Sequence, residues 1–144
     1  MSERSRALKA RLHASAITLG GWLSLPDLSV VEIATGAGFD WLMIDAEQAA
    51  FDLGTLYRMF VAFRDSATVP RVRVPWNDHV RIKHILDFGA EGIILPQIGS
   101  LAEASAAVAA CKYPPQGIRG FGPRRASDWR RNSPISARQR PDPA

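Results

Sequence analysis

Four times along the chain a short apolar run ends in polar, glycine- or proline-bearing residues and passes into a stretch with apolar positions at helical spacing. The runs are 16–23 (AITLGGWL), 41–44 (WLMI), 69–74 (VPRVRV) and 92–95 (GIIL). Runs this short read as strands buried on both faces. The intervening stretches predict helices over Leu28–Gly36, 53–64, a segment from Asn77-Asp78 through Leu86, and Leu101–Cys111. Asp27, Asp52, Asp78 and Ser100 or Glu103 stand where an N-cap is expected, because a short oxygen-bearing side chain can accept from the unpaired first-turn N–H groups. Gly36-Ala37-Gly38 closes one helix, and Pro114-Pro115 with Gly117 closes the last. Residues 3–14 mix charge with Leu8 and Leu12 and predict a short surface helix.

The strands end near 23, 44, 74 and 95, one βα unit per twenty to thirty residues. That alternation predicts right-handed crossovers and a parallel sheet. Closed barrels and doubly wound open sheets share this spacing, so it does not choose between them. Gly20-Gly21 marks a close backbone approach. No GxGxxG follows the first strand, so no dinucleotide or P-loop signature is present.

With 144 residues, 47% of them hydrophobic and 22% charged, the chain is long enough to bury a core. One cysteine, Cys111, excludes an intramolecular disulfide and argues against a Cys-based zinc site. No apolar run approaches the ~18 residues of a membrane helix, and no signal peptide is legible, so a cytoplasmic protein is the expectation. The net charge of +4 is unevenly placed. Residues 119–144 hold seven arginines and two aspartates, while the rest of the chain is close to neutral. A basic tail on a neutral body argues against a nucleic-acid binder, since the body lacks a basic face. Residues 132–144, poor in apolar side chains and holding three prolines, are expected to form a disordered basic tail beside one domain over 1–131.

The chemistry concentrates where the second strand ends. There WLMI switches abruptly to Asp45-Ala46-Glu47-Gln48. Two carboxylates and an amide are costly to bury unpaired, and ligands bind at the C-terminal ends of parallel strands. Asp45 and Glu47 are candidates for a site; the alternative is that they cap and solvate a loop.

Four ordered motifs resemble the HpcH/HpaI aldolases, and more distantly the citrate lyase beta-type barrels: 40–47 (DWLMIDAE), 70–75 (PRVRVP), 82–96 (IKHILDFGAEGIILP) and 113–122 (YPPQGIRGFG). The resemblance covers about residues 8–131. It implies a TIM (β/α)8 barrel of which this chain holds the N-terminal half, about four βα units. It implies a class II, metal-dependent aldolase that cleaves 4-hydroxy-2-oxo acids to pyruvate or a similar 2-oxo acid, and an intact enzyme that is a homo-oligomer. Arg73 matches the arginine that contacts the enolate oxygen. The alternative for Arg73 is an ion pair with Asp45 or Glu47. Asp45 and Glu47 match the acidic positions of an Asp-x-Glu-His pattern, Asp87 matches an aspartate of the acid/base region, and Glu47 and Gln97 are expected on the substrate rim. The bland reading of Asp87 is a residue of a helix C-terminal turn.

Two departures stand out. Gln48 occupies the position of the family's acid/base histidine, and an amide does not exchange protons near neutral pH. His13, His79 and His84 are not expected at the rim. Second, the resemblance implies a divalent cation, Mg²⁺ or Mn²⁺, held by carboxylates after the fifth and sixth strands, and no residue of this chain matches them. From Ser133 the sequence leaves the family pattern, and an interrupted reading frame near 132 is expected. Two readings follow: a catalytic aldolase polypeptide, or an inactive remnant or non-catalytic subunit.

Overall fold

The computed structural model describes residues 2–122 and 125–130. The expected tail, 132–144, lies outside the described residues. The order is α1 (Glu3–His13), β1 (Gly20–Leu23), α2 (Leu28–Gly36), β2 (Trp41–Asp45), α3 (Leu53–Ala62), β3 (Val69–Arg73), α4 (His79–Phe88), β4 (Gly92–Ile94) and α5 (Leu101–Cys111), followed by a 3-10 turn at Arg125–Arg130. Each expected cap is made. Asp27 accepts from the Ser29 N–H, Asp52 from Thr55, Asp78 from Val80 and Arg81, and Ser100 from Glu103. Such a cap contributes about 1 kcal/mol. α4 continues past Leu86 to Phe88, where Gly89 takes the left-handed conformation that ends it.

All four strands are parallel in the order β1-β2-β3-β4. Residues that alternate along a strand face opposite sides of the sheet. One side carries Leu23, Leu42, Ile44, Val72 and Val74, which pack with Val31, Leu56, Met59, Phe60, Phe63 and Ile85 of the helical layer in one buried cluster. Each of these side chains contributes roughly 1.5–3 kcal/mol by leaving water. The other side carries Trp22, Trp41, Met43, Asp45, Arg71, Arg73 and Ile94, in rows set by the register Trp22↔Met43, Met43↔Arg71 and Asp45↔Arg73. This second face is only partly covered, with Trp22 50% and Ile94 40% exposed.

β1 is shorter than the apolar run 16–23 predicts. The Asp40 carboxylate accepts from the Leu19 N–H and from Arg11, and pairing begins only at Gly20. A Cβ at Gly20 would stand 2.0 Å from the Trp41 indole. The glycine therefore lets that ring lie across β1, the close approach that the Gly20-Gly21 pair predicts.

In the described residues β1 and β4 each have one edge without a strand partner. Open edges are templates for further pairing. The 144-residue chain is expected to self-associate with rising concentration in sedimentation velocity. A single monomeric species with a cooperative melt at every concentration would contradict this.

Candidate active site

Asp45 and Arg73 are the last residues of β2 and β3, and the parallel register makes them direct partners. Neighbouring strands lie about 4.8 Å apart, which suits a carboxylate and a guanidinium placed side by side. Arg73 Nε donates to Asp45 Oδ1 at 2.9 Å and Nη2 to Oδ2 at 2.7 Å, a two-pronged pair. Glu47 Oε2 lies 3.1 Å from the same Nε. The guanidinium sits 4.8 Å above the centre of the Trp22 ring, a favourable stacking for a cation. Asp45 is buried, while the Arg73 side chain keeps 27% exposure. The ion pair that the sequence left as an alternative is thus formed. It also holds Arg73 in one orientation at the rim, which a binding role needs.

Asp45 does a second job. Its Oδ1 accepts from the backbone N–H of Glu47 and of Gln48, both at 3.3 Å, and the Ala46 N–H donates to the Arg73 carbonyl at 3.0 Å. One carboxylate therefore ties the loop after β2 to the end of β3. The hydrogen bond from Arg73 is the main cause that holds the Asp45 carboxyl below the usual carboxylate range, with the Gln48 and Glu47 N–H groups adding to it against the effect of burial.

The sign follows from linkage. A carboxyl whose pKa is lowered by folding stabilises the fold above its unfolded pKa of about 3.9 and loses that contribution as pH falls through the lowered value. Urea melts of the wild type and Asp45→Asn are expected to differ most above about pH 5 and to converge as pH falls through the lowered carboxyl pKa. A gap that stays constant with pH would contradict this.

The other expected residues separate into those at this rim and one that is not. Gln48 is exposed on the loop after β2, with its N–H on Asp45. Gln97 lies just beyond β4 at the same end, exposed and with a left-handed backbone at φ 55°. Asp87 does not join them. α4 starts at the rim and runs back, so its last turn reaches the opposite end of the sheet. There Asp87 is buried against Arg119 Nη2 at 2.7 Å and Lys83 Nζ at 2.9 Å. Within this chain Asp87 is a charge-pairing residue of a helix end, the alternative that the sequence left open, and it does not stand beside Asp45 and Gln48. His84 stacks on Phe88 in the helical layer, and His79 is exposed at the start of α4. Trp22, the platform beneath Arg73, was not among the expected residues; a lone tryptophan at the end of the first strand was the available sign.

The site therefore combines a fixed, partly exposed guanidinium, two carboxylates and an exposed amide at the C-terminal ends of a parallel sheet. The HpcH/HpaI aldolase/citrate lyase family matches residues 18–138. The chain belongs to this family. A 4-hydroxy-2-oxo-heptane-1,7-dioate aldolase of Salmonella dublin is 43% identical over 127 residues, covering 87% of this chain and 48% of that protein. The crystal structure of an HpcH/HpaI aldolase from Desulfitobacterium hafniense DCB-2 superposes with a TM-score of 0.77 at 31% identity, over 85% of this chain and 48% of that one. A family protein from Burkholderia cenocepacia J2315 gives 0.80 at 34%, over 88% and 53%. The chain spans about half the length of the curated relatives it matches. Its four βα units are the N-terminal half of the family's (β/α)8 barrel.

The HpcH/HpaI class II aldolases use a divalent cation, and the residues here can be tested against one. Among the described residues no three His, Cys, Asp or Glu side chains converge on a common point. Asp45 and Glu47 are both turned onto Arg73. Mg²⁺ and Mn²⁺ need several oxygen ligands in near-octahedral array. The described residues do not fit such an ion. No described helix is long and apolar enough to cross a membrane.

Proposed function

We propose that this chain carries the enolate-binding half of a 2-oxo-acid aldolase site. The parent reaction is retro-aldol cleavage of a 4-hydroxy-2-oxo acid. A base removes the C4 hydroxyl proton, the C3–C4 bond breaks and an aldehyde leaves. The bonding pair moves onto C3 and the carbonyl at C2 becomes an enolate. A proton delivered to C3 then gives pyruvate or a similar 2-oxo acid.

Arg73 is the group that meets the enolate oxygen. Among the described residues, Asp45 and Glu47 take its Nε and Nη2, which leaves Nη1 for the ligand. A fixed cation aimed at developing negative charge stabilises the transition state more than the ground state. Asp45 is the positioning residue that keeps the guanidinium from swinging away, and Glu47 supports the rim. Gln48 and Gln97 are exposed at the same end and can hydrogen-bond a substrate oxygen or a water. The observation that carries this reading is the Asp45–Arg73 pair at paired strand ends in a chain of this family.

A second reading is favoured by a specific residue. Gln48 cannot take the C4 hydroxyl proton, so the chain by itself is a binding half or an inactive remnant. Pyruvate release from 4-hydroxy-2-oxo-heptane-1,7-dioate, with Mg²⁺ or Mn²⁺ supplied, distinguishes the two. The half-site reading predicts no release by the 144-residue chain alone and measurable release once it is combined with the C-terminal half of the Salmonella relative. No release from the combination supports the remnant. Release by the chain alone would overturn both the missing-base and the missing-cation arguments.

A further inference from the structure

Both edges of the sheet that lack a strand partner among the described residues are bare of charge. No Asp, Glu, Lys, Arg or His occurs from Ala14 through Pro26, the stretch that holds β1, or from Gly92 through Ala102, the stretch that holds β4. An edge strand that faces water is usually guarded by charge, because its free N–H and C=O groups are a template for another strand. Here large apolar side chains stand exposed instead. Leu19 and Leu25 flank β1, and Ile98 and Leu101 follow β4. The helices after these two strands repeat the pattern, with Ile33 exposed on α2 and Val108 on α5. On the sheet face that carries Arg73, the middle strands show no exposed side chain, whereas Trp22 of β1 and Ile94 of β4 are exposed.

Direction, number and charge decide what fits these edges. All four strands are parallel. A two-fold axis along the strands therefore sets β4 of one chain parallel to β1 of another, and does so twice. Two sheets of four give eight strands, the number at which a closed parallel ring is filled by its own side chains. The charges on the inner face and its rim balance among the described residues, Arg71 and Arg73 against Asp45 and Glu47. A copy of the same face therefore meets it without net repulsion.

We propose that these edges bind a second copy of the same chain, β4 of each pairing with β1 of the other in a closed ring of eight parallel strands. Association stops at two, since both edges of both chains are then used. Parallel pairing keeps the two Arg73 rims at one end of the ring. Trp22, on which the Arg73 guanidinium stacks, then lies beside the end of the partner's β4, so the partner's Gln97 borders the site. The inference rests on the half-barrel fold and not on the enolate reading of Arg73, and its test reads mass rather than turnover.

The test is sedimentation equilibrium of the full chain and of three variants. The wild type is expected to pass from monomer to dimer and no further. Leu25→Lys and Ile98→Glu, each a change of a side chain exposed in the single chain, are each expected to raise the dimer dissociation constant about tenfold or more, because a charge is buried unpaired at both contacts. An equimolar mixture of the two is expected to regain the dimer, since one contact is then wild type and the other sets lysine against glutamate. Val61→Lys, exposed on α3 away from both edges, is expected to leave it unchanged. Circular dichroism melts confirm that each variant is folded. A wild type that stays monomeric, or that grows past the dimer, would overturn the proposal. So would loss in only one of the two edge variants, since like edges would then be paired, or a mixture that regains nothing. A chain that is monomeric alone yet binds the C-terminal half of the Salmonella relative would assign the edges to that half and overturn it as well.

Discussion

In a barrel completed with the C-terminal half of the Salmonella relative, Gln48→His is expected to raise retro-aldol turnover by about 10²- to 10⁴-fold, the usual contribution of a positioned general base. The backbone around position 48 is already fixed. Asp45 Oδ1 accepts from its N–H, and Ala46 is tied to the Arg73 carbonyl. The new imidazole therefore starts from the same loop geometry, and only the proton chemistry changes. An imidazole with an ordinary pKa near 6.5 should also impose a rise in kcat/KM through that pH, absent from the Gln48 protein. A flat profile, or a gain below about threefold, would mean that position 48 is out of reach of the substrate hydroxyl.

The second large effect is a loss. Arg73→Ala is expected to lower turnover of the same completed barrel by about 10²- to 10³-fold, the cost of removing one donor to a developing oxyanion. Arg73→Lys should recover little, since a point ammonium cannot hold both Asp45 oxygens and still present a nitrogen to the ligand. Structure and function can be separated. Arg73 is partly exposed, so the fold should survive its loss, and a circular dichroism melt of Arg73→Ala is the control. An unchanged kcat/KM in a folded variant would show that the Asp45–Arg73 pair only fastens the loop after β2.

Much of this molecule could be read before folding. Asp27, Asp52 and Asp78 stand one residue ahead of apolar periodic stretches, and all three cap the helix that follows. Capping is local chemistry, so it is written locally. The WLMI run became a strand for the same reason, and Asp45 fell on its last position. Asp45 meeting Arg73 is different. The partners are 28 positions apart, and only the strand register joins them. The sequence offered the pair as one of two alternatives, and the resemblance supplied the other. The structure makes them compatible, since the pair orients the group that would bind.

Asp87 had two readings, the acid/base region or a helix C-terminal turn, and in this chain it takes the second. The motif 82–96 tied it to the acid/base region, but a helix that follows a parallel strand must return to the sheet's other end before the next strand begins. Arg119, its partner 32 positions later, gave no local sign. The 3-10 turn at Arg125–Arg130 was also unforeseen, because it depends on contacts with α4 rather than on its own periodicity. Trp22 carried its meaning only through position, as the last outward residue of β1 beneath a guanidinium.

The account rests on Arg73 stabilising an enolate, and the partial reaction that shows it most directly is exchange of the pyruvate methyl protons for deuterium. Proton NMR in D₂O would follow it in the barrel completed with the C-terminal half of the Salmonella relative and supplied with Mg²⁺ or Mn²⁺. The account predicts exchange clearly faster than in buffer with the wild-type chain, and a fall to the level of the C-terminal half alone with Arg73→Ala. Exchange that continues undiminished in a folded Arg73→Ala barrel would contradict it.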